Sequence, residues 1–215
     1  MKSIALIGSG PSLAEISPAA IRADCIIAVN GAIGWLMDGG ARADIWFTLD
    51  PCDAVLAHGQ LALEAGARAI VAAPLHAPLP KGFERWDRRA GTAQLATCTA
   101  PLGSAEWWFH RFSCVAGLSD RWGVIHTGNS LYGALGLAYL IGPERIGIFG
   151  LDANYADKVT GGAFRAWKHL PMLFESALPQ LKRARIDVVN GSARSNVTCF
   201  ERQHPRDAAA WLAGD

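Results

Sequence analysis

Ser3-Ile-Ala-Leu-Ile-Gly-Ser-Gly-Pro-Ser12 is the stretch of sequence that decides the fold. Its first half is a continuous apolar run of strand length, which is typical of a strand buried on both faces of a parallel sheet. Its second half is a sharp turn, and the capping-box spacing from Ser12 to Glu15 predicts that a helix begins there. The stretch therefore predicts a strand, a turn and a helix, which is the first unit of an α/β fold.

The same alternation of strand and helix repeats along the chain. The predicted strands are 4–7, 25–29, 44–50, 69–73, 145–149 and 186–189. The predicted helices between and after them are 33–37, 54–64, 129–141, 167–182 and 206–212. Strands that alternate with helices form a mostly parallel sheet that is covered on both faces, so the predicted fold class is doubly wound α/β.

Length and composition point to one globular domain. The chain has 215 residues, enough for a single domain (1–215) with a full core. Residues 74–123 interrupt the alternation with Pro, Trp, Arg and Gly, and we interpret them as an insertion or lid within that domain. Hydrophobic residues make up 51% and charged residues 18%, which excludes a disordered chain or a coiled coil.

Charge and cysteine usage limit the expected partners and compartment. The formal net charge of +1 provides no field that would attract nucleic acid or an anionic membrane, so we expect neither partner. The sequence shows no signal-peptide core and no apolar span of transmembrane length. Its five cysteines are scattered and contain no C-x-x-C pair, which favours reduced thiols and a cytoplasmic location.

Polar side chains stand at the exits of five predicted strands. Ligands of parallel α/β sheets bind beyond the carboxyl ends of the strands, at the switch in strand order. We therefore expect these side chains to line a ligand site, although turns also favour Asn, Asp and Gly. In chain order they are Ser9 and Ser12, then Asn30, then Asp50, then Asp152 and Asn154, and finally Asn190 and Ser192.

The turn from Gly8 to Ser12 predicts phosphate binding, because backbone N–H groups at a helix N-terminus attract an anion. The dinucleotide fingerprint needs a third glycine where Leu13 stands and an acid where Asn30 stands. A Walker A Gly-Lys-Ser/Thr run is also missing from the sequence. NAD, FAD and a P-loop are therefore disfavoured, and the prediction is a nucleotide on the short turn with Asn30 on its ribose or base.

Two segments resemble a known superfamily. Residues 4–13 resemble the opening of the bacterial lipooligosaccharide sialyltransferases, and related openings occur in motility accessory factor glycosyltransferases, archaeal 6-hydroxymethylpterin pyrophosphokinases and phage-borne proteins. The more specific match is His-Thr-Gly-Asn-Ser-Leu-Tyr-Gly-Ala-Leu-Gly-Leu-Ala-Tyr-Leu-Ile-Gly at 126–142, continued by Arg-Ile-Gly-Ile-Phe-Gly-Leu-Asp at 145–152. The resemblance covers about half of the chain and implies a Rossmann-like domain of a nucleotide-dependent transferase.

The resemblance also implies a set of binding residues. In the sialyltransferases, which use a cytidine-monophosphate sugar, the turn matching Gly8–Ser12 and the asparagine matching Asn30 line the nucleotide. The pair matching Asn129 and Ser130 begins the helix beneath it. The candidate nucleotide-binding residues are therefore Gly8, Ser9, Gly10, Pro11, Ser12, Asn30, Asp50, Thr127, Gly128, Asn129, Ser130 and Asp152.

Ser9 and Asp50 depart from the sialyltransferase pattern, since each stands where that family has asparagine. A carboxylate near phosphates is tolerated best with a magnesium ion between them, which favours the branch of pyrophosphokinases that use metal and ATP. In that case Asp50 is the metal ligand. Otherwise Asp50 caps the helix that follows Pro51.

His169 is the candidate catalytic residue, because it stands at about the position at which the sialyltransferases carry their catalytic histidine. The resemblance implies that it takes a proton from an acceptor hydroxyl as that oxygen attacks the anomeric carbon of the donor. The alternative is a partly buried histidine that packs beside Trp167.

The sequence leaves three functions open. The first is a sialyltransferase-like glycosyltransferase with a small-molecule nucleotide donor, a glycan or hydroxyl acceptor and no tightly bound cofactor. The second is a pyrophosphokinase that needs magnesium and ATP. The third is a non-catalytic phage or surface-associated module with the same fold, because fold alone does not fix function. A homo-oligomer is compatible with each of them.

Overall fold

A single parallel sheet organises the molecule. The computed structural model describes residues 1–91, 99–153 and 169–214. Their strands are β1 (Ser3–Ile7), β2 (Cys25–Val29), β3 (Ile45–Thr48), β4 (Arg68–Ala73), β5 (Glu84–Arg89), β6 (Val124–His126), β7 (Arg145–Phe149), β8 (Asp187–Gly191) and β9 (Glu201–Arg202). The strand order is β6-β5-β4-β3-β2-β1-β7-β8-β9, and each of these neighbouring pairs is parallel.

Helices cover both faces of the sheet. They are α1 (Ala32–Asp38), α2 (Asp53–Glu64), α3 (Ala105–Arg111), α4 (Ser130–Ile141), α5 (Leu170–Glu175), α6 (Leu178–Ala184) and α7 (Pro205–Ala213). Alternate residues of β1 face opposite cores: Ile4 and Leu6 pack on the side of α4 and α5, and Ala5 and Ile7 on the side of α1, α2 and α7. The predicted fold class is confirmed: the chain has a Rossmann-like, doubly wound α/β fold.

Helix α4 lies close against the sheet because it carries glycine where the sheet approaches. A Cβ on Gly133 would stand 2.9 Å from the Phe47 ring. The helix begins at Asn129, whose side-chain oxygen accepts a hydrogen bond from the Leu131 N–H at 2.9 Å, and it ends at Gly142 in the left-handed region (φ 77°). These contacts place the first turn of α4 beneath the strand exits.

Three short or charged strands were not predicted from the sequence. Strand β5 reads Glu-Arg-Trp-Asp-Arg-Arg, and Trp86 is its one buried residue, so its pattern lacks the apolar run of a central strand. Strands β6 and β9 are only three and two residues long. Part of 74–123, which the sequence predicted to be an insertion or lid, is therefore sheet, while 92–98 of that range lie outside the described residues.

Two predicted helix starts differ from the structure. The capping box from Ser12 to Glu15 does not form: Pro11–Glu15 is a short 3-10 helix whose flanking residue is Gly10, so Ser12 lies inside it, and its hydroxyl donates to Asp152. Asp50 is not the cap of α2, whose first flanking residue is Cys52. A second 3-10 helix spans Pro18–Ala20.

The helix predicted over 167–182 is two helices, α5 and α6. Pro179 lies in the first turn of α6, where its missing N–H costs nothing, and it cannot continue the preceding helix. The start of the predicted range, with Trp167, lies outside the described residues, as does Asn154. Within the described ranges, no helix has the length and apolar character needed to cross a membrane, and the four cysteines there are free thiols.

Candidate functional site

A polar pocket opens beyond the carboxyl ends of β2, β3, β5 and β6. Its cavity volume is about 350 Å³. It brings together seven residues predicted from the sequence, and it adds Leu49, Arg88 and Phe112, which the sequence did not single out. The described lining residues are Asn30, Leu49, Asp50, Arg88, Phe112, Thr127, Gly128, Asn129, Ser130 and His169.

Asn30 stands at the exit of β2 in a strained but well-held conformation. Its φ of 52° is left-handed, a region in which asparagine is more frequent than most residues. Its N–H donates to the Phe47 carbonyl at 3.2 Å, and its carbonyl accepts from the Trp46 indole N–H at 2.8 Å. The neighbouring strand thus fixes the backbone, so that the Asn30 side chain reaches the pocket.

Asp50 is held at the pocket by the first residue of α4. The Ser130 hydroxyl donates to Asp50 Oδ2 at 3.0 Å and accepts from the Leu49 N–H at 3.3 Å. The Thr48 hydroxyl accepts from the Asp50 N–H at 2.9 Å. The exposed carboxylate therefore lies next to the positive end of the α4 dipole, and the exit of β3 is tied to the start of that helix.

Arg88 brings an uncompensated cation into the pocket. Its Nη1 donates to the Leu49 carbonyl at 2.8 Å, which fixes the guanidinium beside the exit of β3. Among the described residues, no carboxylate lies within 4 Å of that guanidinium. A partly buried arginine without an acidic partner is well suited to bind a phosphate or a carboxylate of a ligand.

Three side chains of this pocket carry a buried polar atom without a hydrogen-bond partner. These atoms are Asn30 Oδ1, Arg88 Nε and Thr127 Oγ1, judged within the part of the chain that the structure describes. Leaving such a group unsatisfied costs about 1–3 kcal/mol, and native proteins retain few of them. These three atoms are therefore available to hydrogen-bond a ligand in the pocket.

His169 forms one side of the pocket and is almost fully buried, with 3% of its surface exposed. It precedes α5, where its carbonyl accepts from the Leu173 N–H at 2.9 Å. Its ring stacks on Phe112, with centroids 4.7 Å apart and an angle of 22° between the planes, and Phe112 stacks in turn on Trp108 at 5.7 Å. The aromatic stack therefore fixes the plane of the imidazole.

The Gly8–Ser12 turn is not part of the described pocket lining, and it meets the exits of β7 and β8. Ser9 and Pro11 are exposed, whereas Gly8 and Ser12 are buried. Three of its N–H groups donate within the chain: Gly8 to the Phe149 carbonyl at 2.7 Å, Gly10 to the Gly150 carbonyl at 3.1 Å, and Ser12 to Asp152 Oδ2 at 3.1 Å. These three donors are not available to a phosphate, and nucleotide binding by the turn stays a prediction.

Asp152 joins three strand exits through its buried carboxylate, and we call Ser12, Asp152 and Ser192 the Asp152 clamp. Oδ2 accepts from both the N–H and the hydroxyl of Ser12, each at 3.1 Å, and Oδ1 accepts from the Ser192 hydroxyl. A Cβ on Gly10 would stand 2.0 Å from Oδ2, so glycine is required for the turn to approach this closely. The clamp closes the switch in strand order between β1 and β7, where the sequence predicted the ligand.

The described lining of the pocket provides few side chains that could ligate a metal ion in the absence of substrate. Among the described residues, no three His, Cys, Asp or Glu side chains are grouped as metal ligands. Asp50 is the one carboxylate of the described lining. Magnesium is commonly held by one or two carboxylates together with substrate phosphates, so Asp50 fits a metal that arrives with a nucleotide.

The fold and the site define a Rossmann-like α/β domain with a polar, cation-bearing pocket at its strand exits. No protein-family model and no curated protein matches the chain. Among solved structures, it is similar to the MAf glycosyltransferase from Magnetospirillum magneticum AMB-1, with a TM-score of 0.57 and 15% sequence identity. The likeness covers 99% of this chain and 36% of that one, and it establishes the shared fold.

Proposed function

We propose that the chain is a nucleotide-dependent transferase that moves a sugar from a nucleotide-sugar donor to an acceptor hydroxyl. The observation that carries the proposal is the pocket wall, where the Arg88 guanidinium, which has no acidic partner among the described residues, lies with polar atoms of Asn30 and Thr127 that are unsatisfied within the same ranges. Such a wall suits a ligand with both an anionic group and a hydrogen-bonding base or ribose. The similar fold of a glycosyltransferase supports this class of reaction.

The donor phosphate is proposed to bind at Arg88, and the nucleoside to lie against Asn30. Two features of the pocket favour an anion there. The guanidinium has no acidic partner in the part of the chain that the structure describes, and the positive end of the twelve-residue helix α4 faces the same space. Asp50 would repel a second phosphate, unless a cation lies between them. A donor with a single phosphate charge therefore fits the pocket best.

His169 is proposed as the general base. As the acceptor oxygen attacks the anomeric carbon, the hydroxyl proton passes to the imidazole and the bond from that carbon to the phosphate oxygen breaks. Arg88 then stabilises the negative charge of the departing nucleotide. The stack on Phe112 supports the role, because it holds the imidazole in one plane at the side of the pocket.

The position of Asp50 favours a second candidate, the magnesium-dependent pyrophosphokinase. Its carboxylate is exposed in the pocket, and Ser130 holds one of its oxygens in place. In that reaction Asp50 would hold a magnesium ion that arrives with ATP and neutralises the phosphates. Loss of this carboxylate would then abolish the metal-dependent part of nucleotide binding.

A thermal-shift panel distinguishes the proposals. We expect CMP or a CMP-sugar to stabilise the protein without magnesium, CDP and UDP to stabilise it less under the same conditions, and NADH to have no effect. A ligand at a hundred times its dissociation constant adds about 2.7 kcal/mol, which raises the melting temperature of a domain of this size by roughly 5–10 °C. A shift only with ATP and magnesium, lost in Asp50→Asn, would favour the pyrophosphokinase, and a shift with NADH alone would contradict both proposals.

Turnover then tests the role of His169. His169→Gln should lower donor hydrolysis or transfer by about two orders of magnitude or more, because a general base contributes that much to the rate. The melting shift that the nucleotide induces should stay close to that of the unsubstituted protein. His76→Gln, at an exposed histidine outside the described lining, is the matched control. Full turnover in His169→Gln would make the histidine a packing residue, and a nucleotide shift without turnover in any variant would favour a non-catalytic module.

A further inference from the structure

A second cavity is lined by residues of a segment that also contributes to the pocket described above. Its volume is about 310 Å³. The segment from Glu106 to Cys114 serves both spaces, because Phe112 lines the pocket described above whereas other residues of the segment line the second cavity. The described lining of the second cavity consists of Gly91, Glu106, Phe109, His110 and Cys114.

The shape of the second cavity is fixed by a close approach of two backbone segments. The Gly91 N–H donates to the Ser113 carbonyl at 2.9 Å. A Cβ on Gly91 would stand 2.7 Å from the Cys114 carbonyl oxygen, so only glycine permits this contact. Phe109 packs against the main hydrophobic core, which anchors its ring in the wall.

The lining combines an apolar ring with polar groups. Phe109 offers aromatic surface, and the Glu106 carboxylate accepts hydrogen bonds only. His110 Nδ1 is buried and lacks a hydrogen-bond partner within the described residues. Burial raises the pKa of the Cys114 thiol to about 12, so this group is a neutral part of the wall and not a nucleophile.

We propose that the second cavity is the acceptor subsite, and that it binds an uncharged, hydroxyl-rich ring such as a pyranose. A pyranose has an apolar face of C–H groups that suits Phe109, and ring hydroxyls that donate to Glu106. The negative charge of Glu106 disfavours an acidic ring at this site. This inference rests on the proposed transferase function, because an acceptor subsite has a use only beside a donor pocket.

Saturation-transfer NMR on the full chain without nucleotide tests the subsite. The probes are methyl β-D-galactopyranoside and methyl α-D-glucopyranoside, with glucuronate as the anionic counter-probe. We expect at least one methyl pyranoside to bind and glucuronate not to bind. Glu106→Gln should weaken pyranoside binding about tenfold or more, because a hydrogen bond to a charged acceptor is replaced by one to a neutral amide.

Glu64→Gln is the matched control, since Glu64 is an exposed residue of α2 outside both described linings. No pyranoside binding, equal binding of glucuronate, or equal affinity in Glu106→Gln and the unsubstituted protein would overturn the inference. The melting shift with nucleotide is measured on the same samples. A nucleotide shift without pyranoside binding would refute the subsite alone. Glu106-dependent pyranoside binding without any nucleotide shift would show a sugar site, but it would overturn the donor pocket and with it the acceptor role.

Discussion

The Asp152 clamp and the pocket both lie at the carboxyl edge of the same sheet, but they differ in how far their buried polar groups are hydrogen-bonded within the chain. In the clamp, each oxygen of the buried Asp152 carboxylate accepts a hydrogen bond from Ser12 or Ser192. In the pocket wall, buried atoms of Asn30, Arg88 and Thr127 lack partners within the described residues. The clamp therefore contributes to stability, whereas the unsatisfied atoms of the pocket wall cost stability and are available to a ligand.

This difference makes stability and binding separable by mutation. Changes in the clamp should lower the free energy of unfolding, even when no ligand is present. Changes in the pocket should alter ligand affinity while the free energy of unfolding stays nearly constant. A pocket variant that unfolds the protein, or a clamp variant that is fully stable, would contradict this separation of stability from binding.

The largest effect is expected from Asp152→Ala. It removes the acceptor of three buried donors, the Ser12 N–H and the hydroxyls of Ser12 and Ser192, so we expect a loss of about 3–5 kcal/mol. Urea denaturation measures this loss, and the melting temperature should fall by roughly 10 °C. Asp187→Ala, at the exposed start of β8, is the control and should change little. A loss below about 1 kcal/mol would show that the carboxylate is not needed for the clamp.

A smaller loss is expected from Gly10→Ala. The added methyl group would stand 2.0 Å from Asp152 Oδ2 and 2.5 Å from the Gly150 carbonyl oxygen, so the turn must move. Overpacking of this kind should lower the free energy of unfolding by about 2–3 kcal/mol, which urea denaturation measures. Gly34→Ala is the matched control, because a Cβ there meets no atom within 4 Å. Since alanine is favoured over glycine in a helix, this variant should have a free energy of unfolding about 0.5–1 kcal/mol higher. Equal stability of the two variants would contradict the close approach.

Arg88→Gln should affect binding more than stability. It removes the cation at the proposed phosphate position, so nucleotide affinity should fall about tenfold, equivalent to about 1.4 kcal/mol. Isothermal titration with the best nucleotide of the thermal-shift panel measures this change. Arg68→Gln serves as the control, because Arg68 forms an exposed ion pair with Glu84. Unchanged affinity in Arg88→Gln would remove the main support for phosphate binding in this pocket.

The smallest effect, and the sharpest contrast, is expected from a pair of hydroxyl deletions. Thr127→Val replaces a buried hydroxyl, which has no partner among the described residues, with a methyl group of similar size, so the free energy of unfolding should rise or change by less than about 0.5 kcal/mol. Ser192→Ala removes a hydroxyl that donates to Asp152, and it should cost about 1 kcal/mol or more. Chemical denaturation of both variants, compared in one experiment, gives the sign of each change. A larger loss in Thr127→Val than in Ser192→Ala would reverse the comparison.

The central strands were predictable from the sequence because they are buried on both faces. Strand β1 is fully buried, so its residues form one apolar run that stands out in the sequence. Strand β5 was not predictable, since five of its six residues are only partly buried or exposed and carry charges. Its place in the sheet depends on pairing with β4 and β6, and this pairing cannot be inferred from the local sequence pattern.

The candidate site was predictable only in part, for a similar reason. Asn30, Asp50 and the start of α4 follow recognisable strands or begin a recognisable helix, and the structure brings them together. Arg88 and Phe112 lie in the segment that has no regular pattern, so nothing local separated them from solvated or packing residues. The strand-exit pattern also placed Asp152 with the ligand, and this stays a prediction. Its carboxylate accepts hydrogen bonds from Ser12 and Ser192, and the sequence pattern alone does not distinguish that role from ligand binding.

The central position of β1 has a consequence for how the protein is made. Strand β1 is synthesised before the other strands of the described sheet, but one of its two neighbours is β7, which is synthesised only after β2 to β6. Until then, the growing half-sheet exposes one edge of Ser3–Ile7, an apolar strand with unpaired N–H and C=O groups. Such an edge is prone to pair with other chains, so slow translation between β6 and β7 should favour aggregation. Strand β1, whose sequence most clearly predicts the fold, is therefore the strand with the longest delay before its second neighbouring strand is synthesised.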